Sequence, residues 1–118
     1  MVGLDHIALI ISSEENLRFY ERFGFKEAQR FERNYDVVVF MKCNSIVLEI
    51  FIDPNHPERN SEIETKGLRH IAFEVDSIDD LNLEIERDGT DWFGGKYAFI
   101  KDPDGQIIEL KEKVKGQD

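Results

Sequence analysis

Gly3-Leu4-Asp5-His6-Ile7-Ala8-Leu9 returns sixty-four residues later as Gly67-Leu68-Arg69-His70-Ile71-Ala72-Phe73. At the same offset Ser13 matches Ser77 and Leu17 matches Leu81. A second echo follows in the same order: Ile46-Val47-Leu48-Glu49-Ile50 resembles Gln106-Ile107-Ile108-Glu109-Leu110, now at an offset of sixty. Self-similarity of this kind marks a repeated supersecondary unit. Each half opens with a strand pattern carrying a His and closes with one carrying a Glu.

The elements between these echoes follow one plan twice. In the first half a strand is predicted over 4–11, and Ser12 with Glu15 forms a capping-box pattern that starts a helix. Leu17, Tyr20 and Phe23 share a face of that helix, and Gly24 fits its C-terminal cap. Strands follow at about 25–31 and 35–42, then the turn Cys43-Asn44-Ser45 and a strand at 46–52. Asp53 to Lys66, polar and holding two prolines, reads as a linker. The second half is predicted as a strand at 68–75, a helix at about 78–88 capped by Gly89, a cramped strand within Thr90–Phe93, a strand at 96–101, the turn Asp102-Pro103-Asp104-Gly105 and a strand at 106–112. The expected class is α+β: two βαβββ modules, about 3–52 and 67–113, joined by the linker 53–66 and curling a mixed sheet within one domain spanning 1–118.

With 118 residues the chain can bury one continuous core. Its hydrophobic content of 41% and charged content of 34% suit a water-soluble protein. The net charge of −10 argues against nucleic acid and anionic membranes as partners. No apolar run approaches the roughly 20 residues of a membrane span, and MVGLDHIALII lacks the basic start of a signal peptide. A cytoplasmic location is expected. Cys43 is the only cysteine, so neither an intrachain disulfide nor a thiolate cluster can form, and any metal must use nitrogen and oxygen ligands.

Side chains alternate across a strand, so parity assigns faces. Ile7, Leu9 and Ile11 share one face and leave His6 on the other with Ala8. Ile71, Phe73 and Val75 likewise leave His70 opposite. Glu49 is flanked in space by Val47 and Phe51, and Glu109 by Ile107 and Lys111. A carboxylate in so apolar a setting loses several kcal/mol of solvation unless it is paired or binds a cation. Two imidazoles and two carboxylates around a divalent ion give a near-neutral site that suits Zn, Ni, Co, Mn or Fe(II). A single such His or Glu is more simply a core or surface residue; the joint, repeated placement points to ligands. His56, in the polar linker, reads as a surface residue.

The sequence resembles the vicinal oxygen chelate superfamily, and within it the glyoxalase I-like branch, over residues 3–113. The carriers are LDHIAL at 4–9, NLRFYERFGF at 16–25, VLEIF at 47–51, GLRHIAFEV at 67–75 and FIKDPDGQIIEL at 99–110. The resemblance implies the glyoxalase/bleomycin resistance/dihydroxybiphenyl dioxygenase fold, with His6, Glu49, His70 and Glu109 at the metal-ligand positions. It also implies a homodimer whose sites are shared across the interface, a small-molecule substrate and a lactoylglutathione lyase-like activity in methylglyoxal detoxification. That activity isomerises the hemithioacetal of a 2-oxoaldehyde and a thiol, with Glu109 moving the proton and Glu49 as its partner across the site. Two positions depart from the glutathione-binding pattern: Ile10 stands where an Arg is common, and Asp53 where an Asn is. Asp53 would repel a glutathione carboxylate, which points to another thiol. Arg30, Arg33, Lys66, Arg69 and Lys96 are candidates for holding an anionic substrate, and Trp92, Tyr97 and Phe99 for lining a pocket, although surface charge and core packing are the simpler roles.

Other superfamily chemistries compete. Extradiol dioxygenases and thiol transferases use two His and one Glu, so Glu49 as a fourth ligand favours the isomerase side, and an epimerase would usually place a Gln at a ligand position. A drug-sequestering binding module of the bleomycin-resistance type would lack the ligands altogether.

Overall fold

In the computed structural model, which describes residues 1–113, the chain divides after Pro57 into two compact units. The last five residues of the predicted 1–118 span lie outside the described residues. Each unit builds a four-stranded mixed sheet, so the two-module α+β reading holds.

The first unit runs β1 (Ile7–Ile11), a 3-10 turn (Glu14–Asn16), α1 (Leu17–Glu21), β2 (Lys26–Glu32), β3 (Val37–Cys43) and β4 (Ile46–Ile52). Its sheet order is β1-β4-β3-β2, with β1 parallel to β4 and the other pairs antiparallel. The Val37-Val38-Val39 and IVLEIFI runs are rich in β-branched residues that pack well on a pleated surface. Val39, Met41, Leu48, Ile50 and Ile11 are fully buried, with Leu17 and Tyr20 of α1 buried as expected. Each such aliphatic side chain contributes about 1.5–3 kcal/mol by leaving water. Gly24 ends α1 at φ +97°, a left-handed conformation that favours glycine, and its N–H donates to the Glu21 carbonyl. The N-cap falls one residue later than the predicted Ser12. Ser13 is the N-cap, without a side-chain capping bond, and Ser12 Oγ accepts from the Asn16 side chain instead.

The second unit runs β5 (Ile71–Val75), a 3-10 turn (Asp79–Leu81), β6 (Arg87–Thr90), β7 (Lys96–Lys101) and β8 (Ile107–Glu112), ordered β5-β8-β7-β6. The predicted helix over 78–88 is absent. Asn82 takes a left-handed conformation (φ 51°) that stops the 3-10 turn, and the chain runs without helix to β6. The reason is legible in Leu81-Asn82-Leu83-Glu84-Ile85-Glu86, where apolar residues recur every second position, and burial alternates to match. Gly89 is therefore no helix cap. It lies within β6 opposite Tyr97, and the predicted strand at 90–93 is displaced to 87–90. The Asp102–Gly105 turn forms as read: the buried Asp102 carboxylate accepts from the Asp104 and Gln106 N–H groups at 2.9 and 2.8 Å. Both opening strands begin later than predicted, one residue after His6 and one after His70.

Candidate functional site

Parallel pairing sets the register of each site. Ala8 lies opposite Glu49 on β1 and β4, and Ala72 opposite Glu109 on β5 and β8. Each His stands two residues before that Ala, at the mouth of its strand. The register carries on across each sheet, with Glu49 opposite Phe40 and Glu109 opposite Phe99. Directly opposed residues share a face, so both units present His, Ala, Glu and Phe together on the side away from the buried aliphatic residues.

The side chains meet. His6 Nε2 is 3.3 Å from Glu49 Oε1, and His70 Nε2 is 2.9 Å from Glu109 Oε1. The first pair is the more open: His6 is 38% and Glu49 21% exposed, against 18% and 17% for His70 and Glu109. Two donors bound to one ion, each about 2.1 Å away and about 90–109° apart, lie about 3.0–3.4 Å from each other. The first pair falls at that separation and the second, at 2.9 Å, just inside it; the second is also a His–Glu hydrogen bond.

His6 Nδ1 lies 2.7 Å from Asp5 Oδ2. A carboxylate on the far ring nitrogen is the arrangement that orients a ligating His and leaves Nε2 as the donor atom. The Asp5 contact, opposed by some desolvation and aided by the Glu49 charge, raises the His6 pKa above the ordinary value. Asp5 was not read as a site residue; its place next to His6 was the available signal. His70 is held differently, its ring packed edge-to-face with that of Phe99 at 5.1 Å between centroids. Cys43 takes no part: its thiol donates to the Phe23 carbonyl.

The donor set fits a divalent ion that accepts nitrogen and oxygen. The four predicted ligands come together as two pairs, one in each unit, and among the described residues no group of three or more His, Cys, Asp or Glu is arranged to hold a metal ion.

A cleft of about 250 Å³ adjoins the second pair, with His70, Phe99, Arg87, Arg59 and Lys101 in its wall. Arg87 lies over Phe99 at 5.0 Å from the ring centroid. Neither Arg87 nor Arg59 is among the predicted anion-binding residues, and Arg87 falls within the predicted helix that does not form. Of the five that were, four pair with acids: Arg30 with Glu27 and Glu14, Arg33 with Asp36, Arg69 with Glu64 and Lys96 with Asp79. Of the three aromatics, Phe99 lines the cleft, Tyr97 packs against it at 5.7 Å, and Trp92 is exposed on the β6–β7 turn.

A family model described as the Glyoxalase/Bleomycin resistance protein/Dioxygenase superfamily matches residues 3–110. The chain belongs to this superfamily. Among relatives of the superfamily member described here is the uncharacterized protein YwkD of Bacillus subtilis, 37% identical over 124 residues, covering 94% of this chain and 97% of the relative. A glyoxalase family protein from Enterococcus faecalis superposes with a TM-score of 0.79 at 34% identity, over 93% of this chain and 97% of that one. A lactoylglutathione lyase from Agrobacterium tumefaciens shares the superfamily fold at a TM-score of 0.67, over 98% of each chain; its 22% identity speaks to the fold alone. The superfamily's description spans enzymes and resistance proteins, so membership leaves the chemistry to the site.

Proposed function

We propose that this chain is a metal-dependent isomerase of the glyoxalase I type, acting on the hemithioacetal of a 2-oxoaldehyde such as methylglyoxal and a thiol other than glutathione. The observation that carries the reading is the duplicated His–Glu pair, in the same register on the same sheet face, at 3.3 and 2.9 Å. His6, Glu49, His70 and Glu109 would hold the ion. Each unit offers two ligands, whereas a zinc-type site takes three or four from protein. The reading therefore includes a homodimer in which one copy's first pair and its partner's second pair complete each site.

When bound, the ion would supply Lewis-acid polarisation of the two substrate oxygens. The chain's own part is proton transfer. Glu109 takes the proton from the carbon bearing sulfur and hydroxyl and returns it to the neighbouring carbonyl carbon. The hydroxyl proton moves to the second oxygen, leaving a 2-hydroxy thioester. His70 and the Phe99 ring hold the Glu109 side of the site in place, and Glu49 stands as the matching carboxylate of the other pair.

Elemental mass spectrometry on tag-free protein, beside a His6→Ala/His70→Ala variant, tests the reading. About one divalent ion per chain, lost in the variant, is expected, together with turnover of hemithioacetals made from methylglyoxal and several thiols. Wild-type protein that stays empty after incubation with Zn, Ni, Co, Mn and Fe(II) in turn would sink it.

A further inference from the structure

The two units share a cross-strand row and differ at its end. In the first unit the row runs Ala8, Glu49, Phe40 and Gln29 across β1, β4, β3 and β2. In the second it runs Ala72, Glu109, Phe99 and Arg87 across β5, β8, β7 and β6. Three positions repeat in kind; the fourth changes from a neutral amide to a guanidinium. The first unit does carry an arginine near its pair, Arg33, 5.6 Å from the Phe51 ring centroid. Its fork, however, is taken by Asp36 through two bonds of 2.6 and 2.7 Å. Arg87 is placed otherwise. It lies over the Phe99 ring, which packs edge-to-face with His70, and no carboxylate among the described residues comes within ion-pair distance of it.

The cleft beside it is basic for so acidic a chain. Arg59, Arg69, Arg87 and Lys101 line it against Glu64 and Glu86, while the net charge of the whole is −10. Lys101, two positions along β7 from Phe99 and so on the same face, is only loosely engaged, 3.8 Å from Glu62 and 4.0 Å from Glu86. A planar fork stacked on an aromatic ring is pre-organised and loses little freedom on binding a bidentate oxyanion. In a chain of this net charge, a local cationic wall is also what lets an anion approach.

We propose that Arg87, braced on Phe99, recognises the oxyanion of a small ligand, a carboxylate or a phosphate-type group, seated in the cleft beside His70. The inference rests on the isomerase reading only for what reacts at the other end of that ligand: there, the oxyanion belongs to the thiol half of the hemithioacetal. Gln29 and the engaged Arg33 leave the first unit without this function, so recognition of charge belongs to the second unit.

The test uses the full chain, isotope-labelled and metal-free, titrated in separate arms with malonate and with inorganic phosphate and followed by amide NMR. Saturable shifts at Arg87, Phe99 and Lys101 are expected, and the tighter arm tells carboxylate from phosphate. Arg87→Ala should weaken binding about 10- to 100-fold, as loss of a charge-assisted bond implies. Arg87→Lys should recover part of it, and Lys26→Ala on β2 none of the loss. Unchanged affinity in Arg87→Ala, or no saturable binding to wild type, overturns the proposal. A second arm compares metal-loaded protein on methylglyoxal hemithioacetals of thioglycolate and of 2-mercaptoethanol. The kcat/KM ratio should favour the anionic thiol and fall in Arg87→Ala. Turnover with no such preference overturns this proposal and leaves the isomerase reading standing. Arg87-dependent anion binding without turnover of either substrate upholds this proposal and removes the isomerase reading.

Discussion

Glu49 and Glu109 hold the same place in their units, yet their surroundings differ. Glu109 lies closer to its His, is less exposed, and adjoins the cleft through His70. A base that moves a proton between two carbons must reach the substrate and be shielded from water, which favours Glu109. Glu109→Gln keeps size and an oxygen donor while removing the base, and turnover should fall at least about 100-fold. Metal content measured on the same sample separates lost chemistry from a lost ion. Full turnover with the metal retained would transfer the role to another group. The two His–Glu pairs were legible in the sequence, because a repeated His and Glu on the polar side of an alternating strand is a pattern without three-dimensional information; their role as ligands belongs to the proposal. Asp5 and Arg87 were not singled out, since each draws its meaning from a neighbour: Asp5 from the His6 ring nitrogen it contacts, Arg87 from a ring on the adjacent strand.

At the scale of elements, the β2–β3 hairpin is closed by Arg33 and Asp36. Two side-chain bonds join them, and the Arg33 N–H donates to the Asp36 carbonyl at 2.9 Å. The Arg33 guanidinium holds the Asp36 carboxyl below its usual range. A carboxyl whose folded-state pKa is depressed adds stability above its unfolded value of about 3.9, and that stability is lost as pH falls through the folded value. Asp36→Asn should thus be less stable than wild type in urea at pH 7, and the gap should close as pH drops below about 4. A gap that persisted at pH 2 would assign the loss to packing rather than charge. The first module's strands and helix were readable to within a few residues because turn chemistry brackets them, Gly24 at positive φ and Asn44 at φ 53°. The second module forms no α-helix over 78–88. Similarity between the halves suggested one, whereas the local period of two in Leu81–Ile85 pointed to extended chain, and local period is the physical determinant.

On the scale of the whole molecule, each copy carries two half-sites, and pairing of copies is what completes them in the reading above. That makes a complementation experiment decisive. A His6→Ala/Glu49→Ala variant and a His70→Ala/Glu109→Ala variant are each expected to be inactive. Unfolded and refolded together, they form mixed dimers in which one site of two draws both pairs from intact units, so about a quarter of wild-type activity should return. No recovery, with mixed dimers demonstrated by mass, would place all four ligands in one chain. By itself the sequence determined the repeat, the faces of the strands, the repeated His and Glu and the exclusion of a thiolate cluster within the chain, because these depend on residue order and on the period-two geometry of a strand. Only the tertiary structure decided that His and Glu meet as pairs 2.9 and 3.3 Å apart, and that Arg87 lies over Phe99 beside one of them. Those contacts join residues distant in the chain through sheet register, and register is set by the packing of the whole sheet rather than by any one segment.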